Sequence, residues 1–216
     1  MAHEDQPKLC IVVAAAMGQD AIERVSVVLD SADIGVLLVT PGGVAPFDAA
    51  AARALVGVAQ AKGVPVLIEG DAQLARAVCA DGVHMPWSKN TVARYGEARQ
   101  IMGNRFSVGA DAGPSRDDAM ALGEAGADYV GFGIPANLEE REMACARRLT
   151  LIEWWSEIFE VPCVAFDVET SEDAAVLAHA GADFVALAMP TDLAIKKLAR
   201  WAQDLAAAVA GPEATA

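Results

Sequence analysis

Four carboxylates stand where an apolar run of this chain stops or has just stopped: Glu69 after "VPVLI", Asp71 two residues later, Asp111 after "SVGA" and Asp167 after "CVAF". A carboxylate at the end of a buried strand can move a proton as a general acid or base. It can also hold a cationic or polyhydroxylated ligand, or a metal that prefers oxygen donors. His84 sits near the end of another such run, "GVHM", and its ordinary pKa near neutrality suits proton transfer. Lys89 and Arg141 are the bases that would face these acids, and Trp87 is a flat surface fit for a lid or a stacking partner. The plainer alternative makes the acids solvated rim groups balanced by Lys89 and Arg141, with His84 a packed, hydrogen-bonded scaffold residue.

Other chemistries find little support. The four cysteines, Cys10, Cys79, Cys145 and Cys163, are scattered without C-x-x-C spacing or a histidine at ligand distance in sequence. Cys10 and Cys163 fall inside apolar runs, where a small buried thiol is the expected reading. His3 lies in the polar opening stretch and His179 in a helical one. A net charge of −14, from 30 acids against 16 bases, opposes nucleic acid and anionic membrane, both of which need clustered Lys and Arg. The opening "MAHEDQPK" is acidic and polar, unlike a signal peptide, and no apolar run reaches membrane-spanning length. A cytoplasmic protein with reduced thiols is expected.

The elements that must position these groups are short. Eight apolar, β-rich runs occupy residues 9–15, 36–40, 66–69, 82–85, 106–110, 129–133, 163–167 and 184–188. Their apolar residues are nearly continuous, as parallel strands covered on both faces require. Between them lie Ala-rich segments of helical period. Ser115 and Ser171 look like N-caps followed by first-turn acids, and Thr150 and Asp192 look like two further starts. Residues 134–149 read as a long loop whose "EEREMACARR" presents a solvated, mixed-charge face.

Eight strand and helix pairs in a chain of 216 residues predict a single-domain (β/α)8 barrel over residues 9–209. A flexible leader at 1–8 and a flexible tail at 210–216 flank it. The rival is an open doubly wound sheet. A dinucleotide-binding version of that sheet would want G-x-G-x-x-G after the first strand, where this chain has "AAAMGQDAIE".

The phrase "AGADYVGFG" at 125–133 returns as "AGADFVALA" at 180–188, with a shorter echo, "CADGVHM", at 79–85. Each copy reads as a corner where a helix ends and an inward-running strand begins. Gly126 and Gly181 suit the left-handed cap. Asp128 and Asp183, on the N-terminal face of the barrel, are expected to fix turns and not to catalyse.

With these corners in place the chain resembles the thiamine-phosphate synthase and thiazole tautomerase superfamily. The resemblance is carried by "ARAVCADGVHM" at 75–85, "SVGADAG" at 107–113, "GEAGADYVGFGIP" at 123–135, "VPCVAF" at 161–166 and "HAGADFVALA" at 179–188. It implies a (β/α)8 barrel that joins a pyrimidine diphosphate to a thiazole phosphate with Mg²⁺, at the C-terminal strand ends.

The departures fall on those strand ends. The diphosphate-gripping set after the second strand is replaced by Leu37, Val39 and Pro41. Glu69 and Gly70 stand in place of an Asn-Asp pair, with Asp71 one step later, and Lys89 stands where the second magnesium carboxylate would be. Asp111 replaces a serine, and Gly113 replaces the histidine the tautomerase would use. In "LEER", at 138–141, only Arg141 keeps a basic position. The Gly-Gly of the phosphate cradle is Asp167-Val168, and its serine is Met189, followed by Pro190, which has no amide hydrogen.

These departures imply no phosphate-binding residue and no retained Mg²⁺ ligand, so no cofactor is expected. Two kinds of function follow. One is a barrel linked to thiamine metabolism that binds a small molecule at its C-terminal mouth without running the standard reaction. The other is a divergent active enzyme, the synthase itself or one of altered chemistry, built on the acidic strand ends and His84. The adjacent Trp154 and Trp155 cannot both face one core on a helix, which suggests a homodimer through an exposed tryptophan. If so, Trp154→Glu or Trp155→Glu lowers the mass seen in light scattering from dimer to monomer.

Overall fold

The computed structural model describes residues 6–17, 19–43, 47–134 and 140–211. The first five residues and the tail beyond Gly211 lie outside the described residues. Strands and helices alternate through the chain: β1 (Lys8–Ala14), α1 (Gln19–Ser31), β2 (Ile34–Thr40), α2 (Ala49–Gln60), β3 (Val66–Glu69), α3 (Ala72–Val78), β4 (Gly82–Met85) and α4 (Thr91–Met102). They continue with β5 (Ser107–Asp111), α5 (Arg116–Glu124), β6 (Val130–Phe132), α6 (Arg141–Ile158), β7 (Cys163–Val168), α7 (Ser171–His179), β8 (Phe184–Ala188) and α8 (Ile195–Ala210). The eight strands are parallel and close into one barrel, β1 pairing with both β2 and β8. Among the described residues, no helix is long and apolar enough to cross a membrane.

Strand alternation sorts the apolar residues into two bodies. Outward residues such as Leu9, Ile11, Leu37, Val39, Ile68 and Val83 pack under the helices. Inward residues, among them Cys10, Leu38, Leu67, Tyr129, Val164 and Ala186, form a second cluster inside the barrel. That both faces of each strand are covered is why the strands read as continuous apolar runs.

The repeated corner is one structural device used three times. Gly126 and Gly181 take left-handed φ of 84° and 99°, and Cys79, at the same place in the third copy, takes 61°. The next residue then donates back to the helix: Ala127 N to Leu122 O, Ala182 N to Leu177 O and Ala80 N to Ala75 O. The aspartate that follows grips the preceding strand at two points. Asp128 donates its N–H to Val108 O, and its Oδ2 accepts from Val108 N at 2.7 Å. Asp183 does the same with Cys163, and Asp81 with Val66.

Several helix boundaries differ from the sequence reading. Ser115 is the N-cap of α5, its hydroxyl accepting from Asp118 N at 3.0 Å. For α7 the cap is Thr170, one residue ahead of Ser171, and α8 begins at Ile195, after Asp192. Thr150 starts nothing. It lies inside α6, where its hydroxyl donates to Ala146 O. Much of the supposed 134–149 loop is therefore helix, because Ala144, Arg148, Leu151 and Trp155 repeat at helical spacing and are buried. Trp155 is buried, and its Nε1 donates to Val161 O, so a glutamate there would break the core instead of testing a dimer. Trp154 is half-buried under the Arg116 guanidinium, and only Trp154→Glu probes a surface.

Asp128→Ala frees the Val108 amide and removes the carboxylate paired with Arg99, so urea unfolding should show a loss of about 1–3 kcal/mol. In the same measurement Cys79→Gly should gain up to about 1 kcal/mol, because glycine takes the left-handed cap without a Cβ penalty.

Candidate active site at the C-terminal mouth

Three of the predicted acids meet at one place. Glu69 is the last residue of β3, Asp111 the last of β5, and Asp167 lies next to the end of β7. Asp111 is buried, and its Oδ1 accepts from Gly113 N at 2.6 Å and Gly133 N at 3.1 Å. Its backbone carbonyl accepts from the Thr91 hydroxyl at the start of α4. Asp167 has a left-handed φ of 56°, at a break in the register between Ala165 and Val168. That turn carries its Oδ2 across to accept from Ile134 N at 2.7 Å. A Cβ on Gly133 would collide with Asp111 Oδ2 and lie 2.9 Å from Asp167 Oδ2, so the bare face of this glycine is where the two carboxylates converge.

The crowding shows in the proton affinities. Burial pushes Asp111 up to about 6, and Asp167 adds to the rise while the Gly113 and Gly133 amides oppose it. Glu69 is raised by burial first, then by the negative charges of Asp167 and Asp111. The mouth thus gathers negative charge that partial protonation relieves.

The remaining predicted residues take other places. Asp71 caps α3, its Oδ1 accepting from Leu74 N at 2.8 Å, and points to that helix, not to the acids. Trp87 lies against Gly113, where an added Cβ would collide with the indole. Lys89 is exposed. Arg141 pairs with Glu169 at 2.6 Å and lies at the edge of hydrogen-bond range of the Asp167 carbonyl. His84 is buried inside the barrel, shares a 3.0 Å hydrogen bond between its Nδ1 and Tyr129 Oη, and packs on Phe166 with ring centres 4.4 Å apart. Burial holds it down at about 3, so it is a neutral imidazole under ordinary conditions.

Sequence reasoning missed two buried arginines that hold the loops of the mouth from below. Arg148 reaches Phe166 O at 2.5 Å and both oxygens of Asp173 at 2.9 and 2.7 Å, tying the end of β7 to the first turn of α7. Arg24 reaches Pro190 O and Leu193 O in the loop after β8. Arg148 was masked by its mixed-charge surroundings, although its spacing from Ala144 and Leu151 follows the buried stripe.

The residues present do not fit the Mg²⁺ of the family. Lys89 offers no oxygen, and Asp111 Oδ1 is held by two amides. Among the described residues no group of three or more His, Cys, Asp or Glu is arranged to hold a metal ion.

The profile of the family described as thiamine monophosphate synthase matches residues 10–189. The chain belongs to that family. A thiamine-phosphate synthase of Hyphomonas neptunium is 41% identical over 134 residues, 62% of this chain and 59% of that protein. One of Erythrobacter litoralis is 37% identical over 138 residues, 63% of each. One of Geobacillus kaustophilus is 32% identical over 187 residues, 82% of each. The first two matches span less than two thirds of those relatives. Among solved structures, thiamine phosphate pyrophosphorylase from Pyrococcus furiosus superposes with a TM-score of 0.74 at 19% identity, covering 94% of this chain and 95% of that one. Tryptophan synthase of Mycobacterium tuberculosis superposes at 0.72 with 15% identity, covering 96% and 94%. At these identities the superpositions speak for the barrel alone.

The raised Asp111 gives a pH signature. Its folded pKa of about 6 exceeds the ordinary 3.8, so the folded state holds the proton more tightly. Stability attributable to this group is full below about pH 4, falls as pH rises to about 6, and stays lost above, by about 3 kcal/mol. Asp111→Asn keeps an oxygen for the amides and removes the titration. Plotted as variant minus wild type, urea-unfolding stability should climb over that interval; a flat difference contradicts the assignment.

Proposed function

We propose that this member of the thiamine monophosphate synthase family binds a small uncharged or cationic organic molecule of thiamine metabolism at its C-terminal mouth. On this reading it works in the cytoplasm and does not couple a pyrimidine diphosphate to a thiazole phosphate. One observation carries the reading: backbone amides that would face an anion at the mouth are already committed. Gly113 and Gly133 donate to Asp111, Ile134 donates to Asp167, and Met189 N, after β8, donates to Val12 O at 2.8 Å. An incoming phosphate would have to displace the protein's own carboxylates while meeting their charge, which costs several kcal/mol in a poorly solvated site. A cation meets the same charge favourably.

The names of the relatives support a second reading, a divergent active enzyme. In that case Asp111, with its pKa near 6, is the group suited to give and take a proton. His84 would act by holding Tyr129 and Phe166 in place, since it is buried and neutral.

A synthase assay with both substrates and Mg²⁺, paired with calorimetry for the thiazole phosphate, separates the readings. The first expects no turnover above the uncatalysed background and no saturable heat. Turnover well above background establishes the second, and Asp111→Asn should then lower kcat by about 10²–10⁴.

A further inference from the structure

Barrels of this architecture normally fill their interior with layers of side chains. Here the interior leaves a cavity of about 230 Å³ toward the N-terminal face, at the opposite end of the strands from the acids. Cys10, Leu38, Leu67 and Val164 form its walls, and Tyr129, Phe166 and Phe184 complete it with three aromatic rings.

The rings leave that space open because each lies close against a strand glycine. A Cβ on Gly109 would run into the Tyr129 ring. One on Gly131 would come within 2.8 Å of Phe166, and one on Gly35 within 2.8 Å of Phe184. With side chains at these three positions the rings would be pushed inward, into the cavity. Three separate glycine and ring pairs on different strands therefore keep one aromatic-walled space clear.

Apart from Ser107, the polar side chains around it are engaged. Asp81 and Asp128 at the rim accept from Val66 N at 2.8 Å and Val108 N at 2.7 Å. The Tyr129 hydroxyl is bound to His84. Burial pushes the Cys10 thiol up to about 12, which keeps it uncharged. Such a lining offers dispersion contacts and ring edges, and no basic side chain for an anionic group. A dry apolar cavity of about 150 Å³ suffices for benzene, so this one accommodates a larger ring system.

We infer that the N-terminal cavity is a second binding site, for an uncharged, planar ring compound about the size of a fused bicycle. It stands apart from the mouth and does not depend on whether the mouth is catalytic.

Indole is a suitable neutral probe, titrated into the methyl-labelled full chain. The expected result is saturable shifts of the Leu38, Leu67 and Val164 methyls, with an affinity about tenfold or more above that of the same ring bearing a carboxylate. Val36→Phe, at a lining residue of β2, and independently Leu67→Phe, fills the space and should abolish the saturable shifts. The inference is overturned if wild-type methyls do not shift, if a folded filled variant binds as before, or if the shifts centre on residues beside Asp111 and Ala188.

Discussion

Before β4, β6 and β8 an aspartate holds the strand behind it by two hydrogen bonds, one from its backbone and one to its carboxylate. Parallel strands have no hairpin to set their register, and a slip of one residue would turn every inward side chain outward. The clamp removes that freedom at the point where each strand begins. A hydrogen bond to a charged acceptor is worth about 1.5–3 kcal/mol, and three of them fix three strand pairs at once. Everything at the other end of those strands inherits its height from these corners, including the level at which Glu69, Asp111 and Asp167 emerge.

The mouth uses the same chemistry for a different end. Asp111 and Asp167 also accept from backbone amides, but these amides belong to the loops after β5 and β6, at the opposite end of the barrel. At the N-terminal face a carboxylate that occupies an amide stabilises the barrel. At the C-terminal face the same act occupies loop amides and gathers negative charge. Asp167 shows the constraint in its backbone: its left-handed φ of 56° is one that glycine adopts freely. The aspartate holds this glycine-like geometry and sets a carboxylate on the loop, bound to the Ile134 amide.

The barrel was legible in the sequence because its cause is periodic. Continuous apolar runs followed by amphipathic helices leave few architectures, and the repeated "AGAD" marks corners whose glycines act locally and whose aspartates reach back to the preceding strand. The acids at strands three, five and seven could be assigned to one rim for the same reason, since alternate strands point to the same level. What escaped was long-range or helical. Thr150 carries the signature of a cap, yet the helix passes through it because Ala144 and Arg148 continue the buried stripe toward the N-terminus. Arg148 reads as surface charge, and only the fold reveals that Asp173 and the Phe166 carbonyl await it. Trp87 could be named as a flat surface, but that it rests on Gly113 depends on two loops meeting in space.

The two ends of the barrel meet in its middle layer. His84 joins Tyr129, which lines the N-terminal cavity, to Phe166, whose neighbour Asp167 belongs to the mouth. A charged imidazole here would be drawn toward the acids above and would cost heavily to bury; held neutral by desolvation, it packs as a ring among rings. This neutrality lets one barrel carry an apolar interior below and a cluster of carboxylates above without a titrating group between them. Because the carboxylates with raised proton affinity sit in the upper layer, pH acts on the mouth through Asp111 and Glu69.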